Sequence, residues 1–169
     1  MDTVQRYTLA VDKWQLMPNL NVARRNAGAC FQGGSIYVIG GEGKRDVCLN
    51  SIEKLDLENA TRWQLIKLTK GNLHPRSDPV VVAQNSQEIV ILGGHVGLED
   101  QTDIVLFDTR TYKCKKVARG VFKSHGNQYA RTAANKIVSM VKCGHRYMFF
   151  EYTKDDEAVK VYYEAEAEK

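Results

Sequence analysis

Two apolar runs, each closed by a glycine pair, stand fifty-three residues apart: Ser35-Ile36-Tyr37-Val38-Ile39-Gly40-Gly41 and Glu88-Ile89-Val90-Ile91-Leu92-Gly93-Gly94. Self-similarity at a period of this size marks a chain built from repeated supersecondary units. A second element follows each pair. Glu53-Lys54-Leu55-Asp56 leads to Trp63, and Val105-Leu106-Phe107-Asp108 leads to Cys114. The same element opens the chain, where Arg6-Tyr7-Thr8 leads to Trp14. Trp14 and Trp63 are 49 residues apart, and Trp63 and Cys114 are 51 apart.

The units read as β-strands. Ile36, Val38, Ile89, Val90 and Ile91 are β-branched, and glycine pairs punctuate the run ends. Residues 51–57 and 61–68 also alternate like strands, although 51–60 fits a helix as well. Asp108-Thr109-Arg110 and Lys154-Asp155-Asp156-Glu157 are polar turns. Three prolines, many short turns and no long segment of 3.6 period argue for an all-β chain rather than βαβ units.

Composition narrows the function classes. With 43% hydrophobic and 26% charged residues the 169-residue chain is that of one globular domain, not a disordered one. Lys plus Arg total 24 against 20 Asp plus Glu, a net charge of +4, so no strong basic stripe announces a nucleic-acid binder. No apolar run approaches the roughly 20 residues of a membrane span, and residues 1–6 show no secretion signal. Cys30, Cys48, Cys114 and Cys143 are too sparse for a disulfide framework and read as reduced thiols of a cytoplasmic protein. The Asn59-Ala60-Thr61 sequon is then accidental.

A four-stranded unit of about 40–55 residues is a propeller blade. The pattern of hydrophobics, Gly-Gly and then a Tyr and Trp seven positions apart resembles the kelch repeat. Tyr7 and Trp14 keep that spacing. The next unit has Gly40-Gly41, Leu55 for the Tyr and Trp63 one position late; the third has Gly93-Gly94, Phe107 for the Tyr and Cys114 for the Trp. Residues 16–24 look like a kelch inter-blade link. The resemblance covers residues 3 to 118. The last unit departs from it, because Val141-Lys142 stands where Gly-Gly is expected. The expected fold is an incomplete kelch-type β-propeller: a half blade at 3–17, blades at 26–68 and 78–118, a degenerate blade at 127–164 and a loose tail at 165–169. The glycine pairs should tolerate positive φ and close backbone approach near the axis. The aromatic and Trp positions should pack between blades.

Three and a half blades are fewer than the 4–8 of a closed propeller, so blade ends are left exposed. Either a longer parent chain supplies the missing blades or a second copy does, and the former is favoured.

The candidate binding residues lie at blade entries and in the loops after the glycine pairs. Arg24 precedes Gly40 by 16 residues and Arg76 precedes Gly93 by 17. In substrate-adaptor kelch propellers such arginines face the binding mouth, and Arg pairs bidentately with carboxylates. The alternative is an arginine held by a neighbouring backbone or acid. Lys44 and Arg45 in the first loop, and His95 and Glu99 in the second, are candidate partner contacts. Gly40-Gly41-Glu42-Gly43-Lys44 is not a phosphate loop, since Arg45 stands where Ser or Thr is required. Cys143-Gly144-His145 lacks the further ligands of a structural zinc site, and His74 and His125 read as loop residues. Lys113, Lys115, Lys116, Arg119 and Lys123 read as the wet edge of an outer strand. No catalytic set, metal site or cofactor is expected.

The resemblance therefore implies a protein-interaction module that holds a partner segment, with acidic residues, at its rim. Two rivals remain. Some kelch-type propellers are copper oxidases of the galactose-oxidase kind or metal-dependent lyases, and no motif here carries their residues over. The other rival is a structural subunit whose open blade faces dock on another chain.

Overall fold

The structure is a computed structural model that describes residues 1–117 in full, and 118–119 and the strands within 128–166 as backbone. Among the described residues it is all-β apart from two single turns of 3-10 helix. The first sheet is a two-stranded hairpin of β1 (Val4–Thr8) and β2 (Lys13–Met17). The second sheet contains β3 (Gly28–Gln32), β4 (Ser35–Ile39), β5 (Ile52–Asp56) and β6 (Gln64–Ile66), antiparallel and in chain order.

The third sheet repeats this plan with β7 (Val80–Ala83), β8 (Glu88–Leu92), β11 (Asp103–Asp108) and β12 (Lys113–Arg119). Between β8 and β11 a small hairpin of β9 (His95–Val96) and β10 (Glu99–Asp100) is inserted. The fourth sheet is β13 (Gln128–Arg131), β14 (Ile137–Cys143), β15 (Arg146–Thr153) and β16 (Ala158–Glu166). The fold is an incomplete propeller of three four-stranded blades and a half blade. Residues 51–60, which the sequence left open between strand and helix, form β5 and then a turn. The expected tail begins later than 165, because β16 pairs with β15 through Glu166; residues 167–169 lie outside the described residues.

Alternation explains how the second and third blades meet. On the even-numbered side of β3 and the odd-numbered side of β4, Cys30, Tyr37 and Ile39 point toward the next blade. They join Ile52, Ile66, Val81, Ile89, Ile91, Val105, Phe107 and Cys114 in one apolar cluster. Tyr37 meets Phe107 edge to face at 6.1 Å, a favoured aromatic arrangement. Burial pushes the Cys30 thiol up to about 12, the Cys114 thiol to about 11 and the Tyr37 phenol to about 12.

The glycine pairs make the close approach possible. Gly40, Gly41, Gly93 and Gly94 all have positive φ, from 58° to 90°. A Cβ on Gly41 would stand 2.5 Å from the Arg25 carbonyl, and one on Gly94 would stand 2.5 Å from the Ser77 carbonyl. The space belongs to the neighbouring backbone: the Gly41 amide donates to the Arg76 carbonyl at 2.8 Å.

The spaced aromatics have a simple origin. Tyr7 pairs with Trp14 across β1 and β2, and Phe107 pairs with Cys114 across β11 and β12. Phe107 and Trp63 are buried. Tyr7 and Trp14 are not. They are 39% and 69% exposed and contact each other at 5.1 Å across the hairpin.

Candidate functional site

Arg24 and Arg76 head equivalent strands and make equivalent contacts. Arg24 donates from Nη1 to the Gly40 carbonyl at 2.8 Å and from Nε to the Val22 carbonyl at 3.3 Å. Arg76 donates from Nη1 to the Gly93 carbonyl at 2.9 Å and from Nε to the His74 carbonyl at 3.1 Å. Each also meets a buried carboxylate. Arg24 Nη2 lies 2.6 Å from Glu53 Oε1, and Arg76 Nη1 lies 3.0 Å from Asp103 Oδ1.

Their side chains are 1% and 0% exposed. The expectation that these two arginines reach a partner at the rim is therefore corrected. Their donors are taken up by strand-end carbonyls and an acid of their own blade. A buried guanidinium is stable only with such a full set of partners. The spacing to the glycine pair, which suggested a binding mouth, reports this internal pin instead.

What the pins hold in place are the connections after the glycine pairs. Residues 42–49 connect β4 to β5, and the β9–β10 hairpin lies between β8 and β11. Each starts from a backbone bridge to the entry segment of its own blade: Arg25 with Glu42, and Ser77 with His95. The two connections touch, since the Cys48 thiol lies 3.6 Å from the His95 carbonyl.

On the first connection Lys44, Arg45, Asp46 and Val47 are all exposed. Arg45 and Asp46 hold left-handed φ values of 56° and 59°, a conformation that costs a non-glycine residue about 1–2 kcal/mol. Arg25 braces this turn. Its Nε donates to Glu42 and its Nη2 to Asp46, both at 2.8 Å. The sequence reading missed Arg25, although its place directly after Arg24 was visible. The hydrogen bond from Arg25, helped by Ser77, holds the Glu42 carboxyl below its ordinary range.

On the second connection His95 is half-buried. Its Nδ1 lies 3.0 Å from the Gly97 carbonyl and its Nε2 lies 3.3 Å from Asp78 Oδ2. Val96, Leu98 and Glu99 are exposed, Leu98 completely. The structure thus places Lys44 and Arg45 on one connection and His95 and Glu99 on the connection that touches it, while Arg24 and Arg76 are buried. It adds three exposed apolar side chains, Val47, Val96 and Leu98, that charge-based reading overlooked.

The other sequence candidates lie elsewhere. Lys113, Lys115 and Lys116 are exposed on β12, the outermost strand of its blade. Lys123, His125 and His145 lie outside the described residues, as does the side chain of Cys143. His74 is an exposed loop residue. Among the described residues Cys30, Cys48 and Cys114 are free thiols, and no helix is long and apolar enough to cross a membrane. A polar cavity of about 480 Å³ opens beside the turn after β5, lined by Asn21, Lys54, Asp56, Arg62 and Trp63 among others.

Comparison with known proteins follows the repeat. A family model described as the kelch motif matches residues 23–62, from the Arg24 pin through the turn after β5. Residues 23–62 thus match a kelch motif. It is 40% identical over 101 residues to the kelch repeat protein M-T9 of Myxoma virus, which is 60% of this chain and 19% of the relative. Over 61 residues it is 31% identical to the kelch repeat and BTB domain-containing protein 2 of Horsepox virus, which is 35% of this chain and 11% of that protein. The chain therefore spans about a fifth or less of the length of these kelch relatives.

Proposed function

We propose that this kelch chain is a non-enzymatic protein-interaction module, and that its partner is held at the rim formed by residues 42–49 and 95–100. One observation carries the reading. Two connections rise from strand ends pinned by buried Arg24 and Arg76, and they offer Lys44, Arg45, Val47, Val96, Leu98 and Glu99 to solvent. Loops on a rigid scaffold present side chains with little ordering cost on binding. The mixture of apolar and charged groups suits a peptide segment that sets an apolar residue on Val47, Val96 and Leu98 and an acidic one near Lys44 and Arg45. A cytoplasmic scaffold role would fit the relative whose name includes a BTB domain.

The test is selection of binders from a displayed library of random peptides on the immobilised chain. Enriched sequences should combine Asp or Glu with a large apolar residue. Lys44→Glu with Arg45→Glu should weaken them about tenfold or more, and Leu98→Asp should do likewise. Lys13→Glu on the hairpin should leave them unchanged. Failure to enrich any sequence, or binding indifferent to the rim variants, would sink the reading.

A further inference from the structure

The turn that ends β5 is one residue longer than its counterparts. Tyr7 pairs with Trp14 across the first hairpin and Phe107 with Cys114 across the third blade, each seven positions apart, whereas Leu55 and Trp63 are eight apart. The two shorter turns close on a left-handed residue, Asp12 at φ 49° and Tyr112 at φ 55°. Residues 57–62 contain no such residue. Pairing therefore runs through Asp108–Lys113 in the third blade but stops at Lys54–Gln64 in the second, two rungs earlier. The third blade fills its turn with Tyr112, whose ring stacks on Phe107 at 6.3 Å. Residues 57–62 carry no aromatic ring, and the polar cavity of about 480 Å³ opens there.

The cavity is lined by the second blade and the linker that enters it, and its polar groups are of two kinds. Lys54 and Arg62 are cations. Lys54 is half-buried, and among the described residues neither makes an ion pair or a side-chain hydrogen bond. A cation withdrawn from water without a counter-charge favours an anion beside it. Asn21 and Asp56 are acceptors. Both side-chain N–H bonds of Asn21 are used, on Glu53 at 2.8 Å and on the Trp63 carbonyl at 2.9 Å, so Oδ1 is what it offers. Asp56 accepts from the Glu58 amide through Oδ1 at 3.0 Å and keeps Oδ2.

We infer that this cavity binds a small phosphorylated polyol, a ligand of the sugar phosphate class. Lys54 and Arg62 hold the phosphate through charge-assisted hydrogen bonds, and Asn21 Oδ1 and Asp56 Oδ2 accept from hydroxyl groups. Phosphate alone leaves the two acceptors unanswered, and a neutral sugar leaves the two cations so. A ligand that carries both groups answers both, and a cavity of this volume falls in the range of small-molecule sites. The inference is independent of the rim reading. The connection of residues 42–49 precedes β5 and the cavity follows it, so the two lie at opposite ends of that strand.

The test follows the amide NMR signals of residues 57–64 in the full chain during titration. The probes are glucose-6-phosphate, glycerol-3-phosphate, glucose, inorganic phosphate and a phosphoserine tripeptide. Saturable shifts are expected with at least one of the two phosphorylated polyols, bound about tenfold or more tighter than glucose or phosphate alone. Lys54→Gln and Arg62→Gln should each weaken that binding about tenfold or more, and Lys115→Gln on β12 should leave it unchanged. Arg62 is exposed, so unchanged melting of its variant shows that it still folds. Deletion of Asn59 restores the seven-residue spacing and should abolish binding. No saturable shift with either polyol, equal affinity for phosphate alone, or binding indifferent to Lys54→Gln and Arg62→Gln would overturn the proposal. So would tighter binding of the tripeptide, because the phosphate would then belong to a phosphoprotein.

Discussion

The second and third blades are built on one plan and live in different surroundings. Along β4 buried and half-buried residues alternate, whereas every residue of β8 after Glu88 is buried. A strand covered on both faces reads as a continuous apolar run, and one covered on a single face alternates. The sequences nevertheless look alike, Ile-Tyr-Val-Ile against Ile-Val-Ile-Leu. The burial difference therefore comes from what lies beside each blade and not from the strand itself.

The polar pins differ in a second way. Ser51 and Asp103 occupy the same place, since each gives its carbonyl to the first glycine amide of its pair. In the third blade that position itself supplies the carboxylate for Arg76. In the second blade the acid stands two residues further on, at Glu53, and Ser51 contributes its hydroxyl at 3.1 Å. Glu53 can thereby hold the linker residues Asn21 and Val22 as well. Their counterparts in the third blade are apolar: Val105 replaces Glu53 and buried Leu73 replaces Asn21. One blade fastens its incoming linker by a charged hub and the other by hydrophobic packing.

The largest predicted effect breaks the pins. Arg76→Ala strands a buried carboxylate and should cost about 3–5 kcal/mol in urea unfolding. Arg24→Ala should cost less, because Glu53 keeps its bonds from Asn21 and Val22. Equal losses would mean that the linker bonds do not compensate the charge.

Packing supplies the next test. Ile91→Ala empties a fully buried site and should cost about 2–5 kcal/mol. The equivalent change at half-exposed Val38 should cost under about 1 kcal/mol. Thermal melting of the two variants compares the same position with and without a neighbour.

The third effect, absent at neutral pH, is a pH dependence of stability. The thiols of Cys30 and Cys114 and the phenol of Tyr37 ionise less readily in the folded state. Their protonated forms thus favour the fold below the ordinary thiol range near 9. That contribution is lost as pH rises toward about 11–12, because the unfolded chain releases protons first. Unfolding free energy should fall with pH above 9, by up to about 1.4 kcal/mol per unit for each group in its window. Cys30→Ser and Cys114→Ser should each flatten the slope, as urea titrations at stepped pH would show. An unchanged slope in both would place the titration elsewhere.

Much of this was legible in the residues. The β-branched runs, the glycine pairs and the seven-residue aromatic spacing give sheets, strand order and cross-strand partners, because each depends on local conformation and a period of two. Tyr7 and Trp14 matched the repeat by spacing alone, yet they are exposed where Phe107 and Cys114 are buried, because burial depends on what packs against a sheet and not on spacing. Arg24 and Arg76 were visible as a repeated pair. Whether such an arginine turns inward or outward depends on acids 27 to 29 residues later, brought close only by the completed sheet. The exposed Val47, Val96 and Leu98 carried no signal, since an apolar residue in a loop looks the same whether buried or presented.

The sequence by itself determined the repeat, the strands and where the chain turns. Glycine, proline and β-branched residues impose those through their own backbone preferences. The tertiary structure decided which of two equivalent residues is buried, which charge is paired and which face remains bare. Those properties belong to neighbours in space, and in a chain of repeated blades the neighbours differ even where the strands look alike.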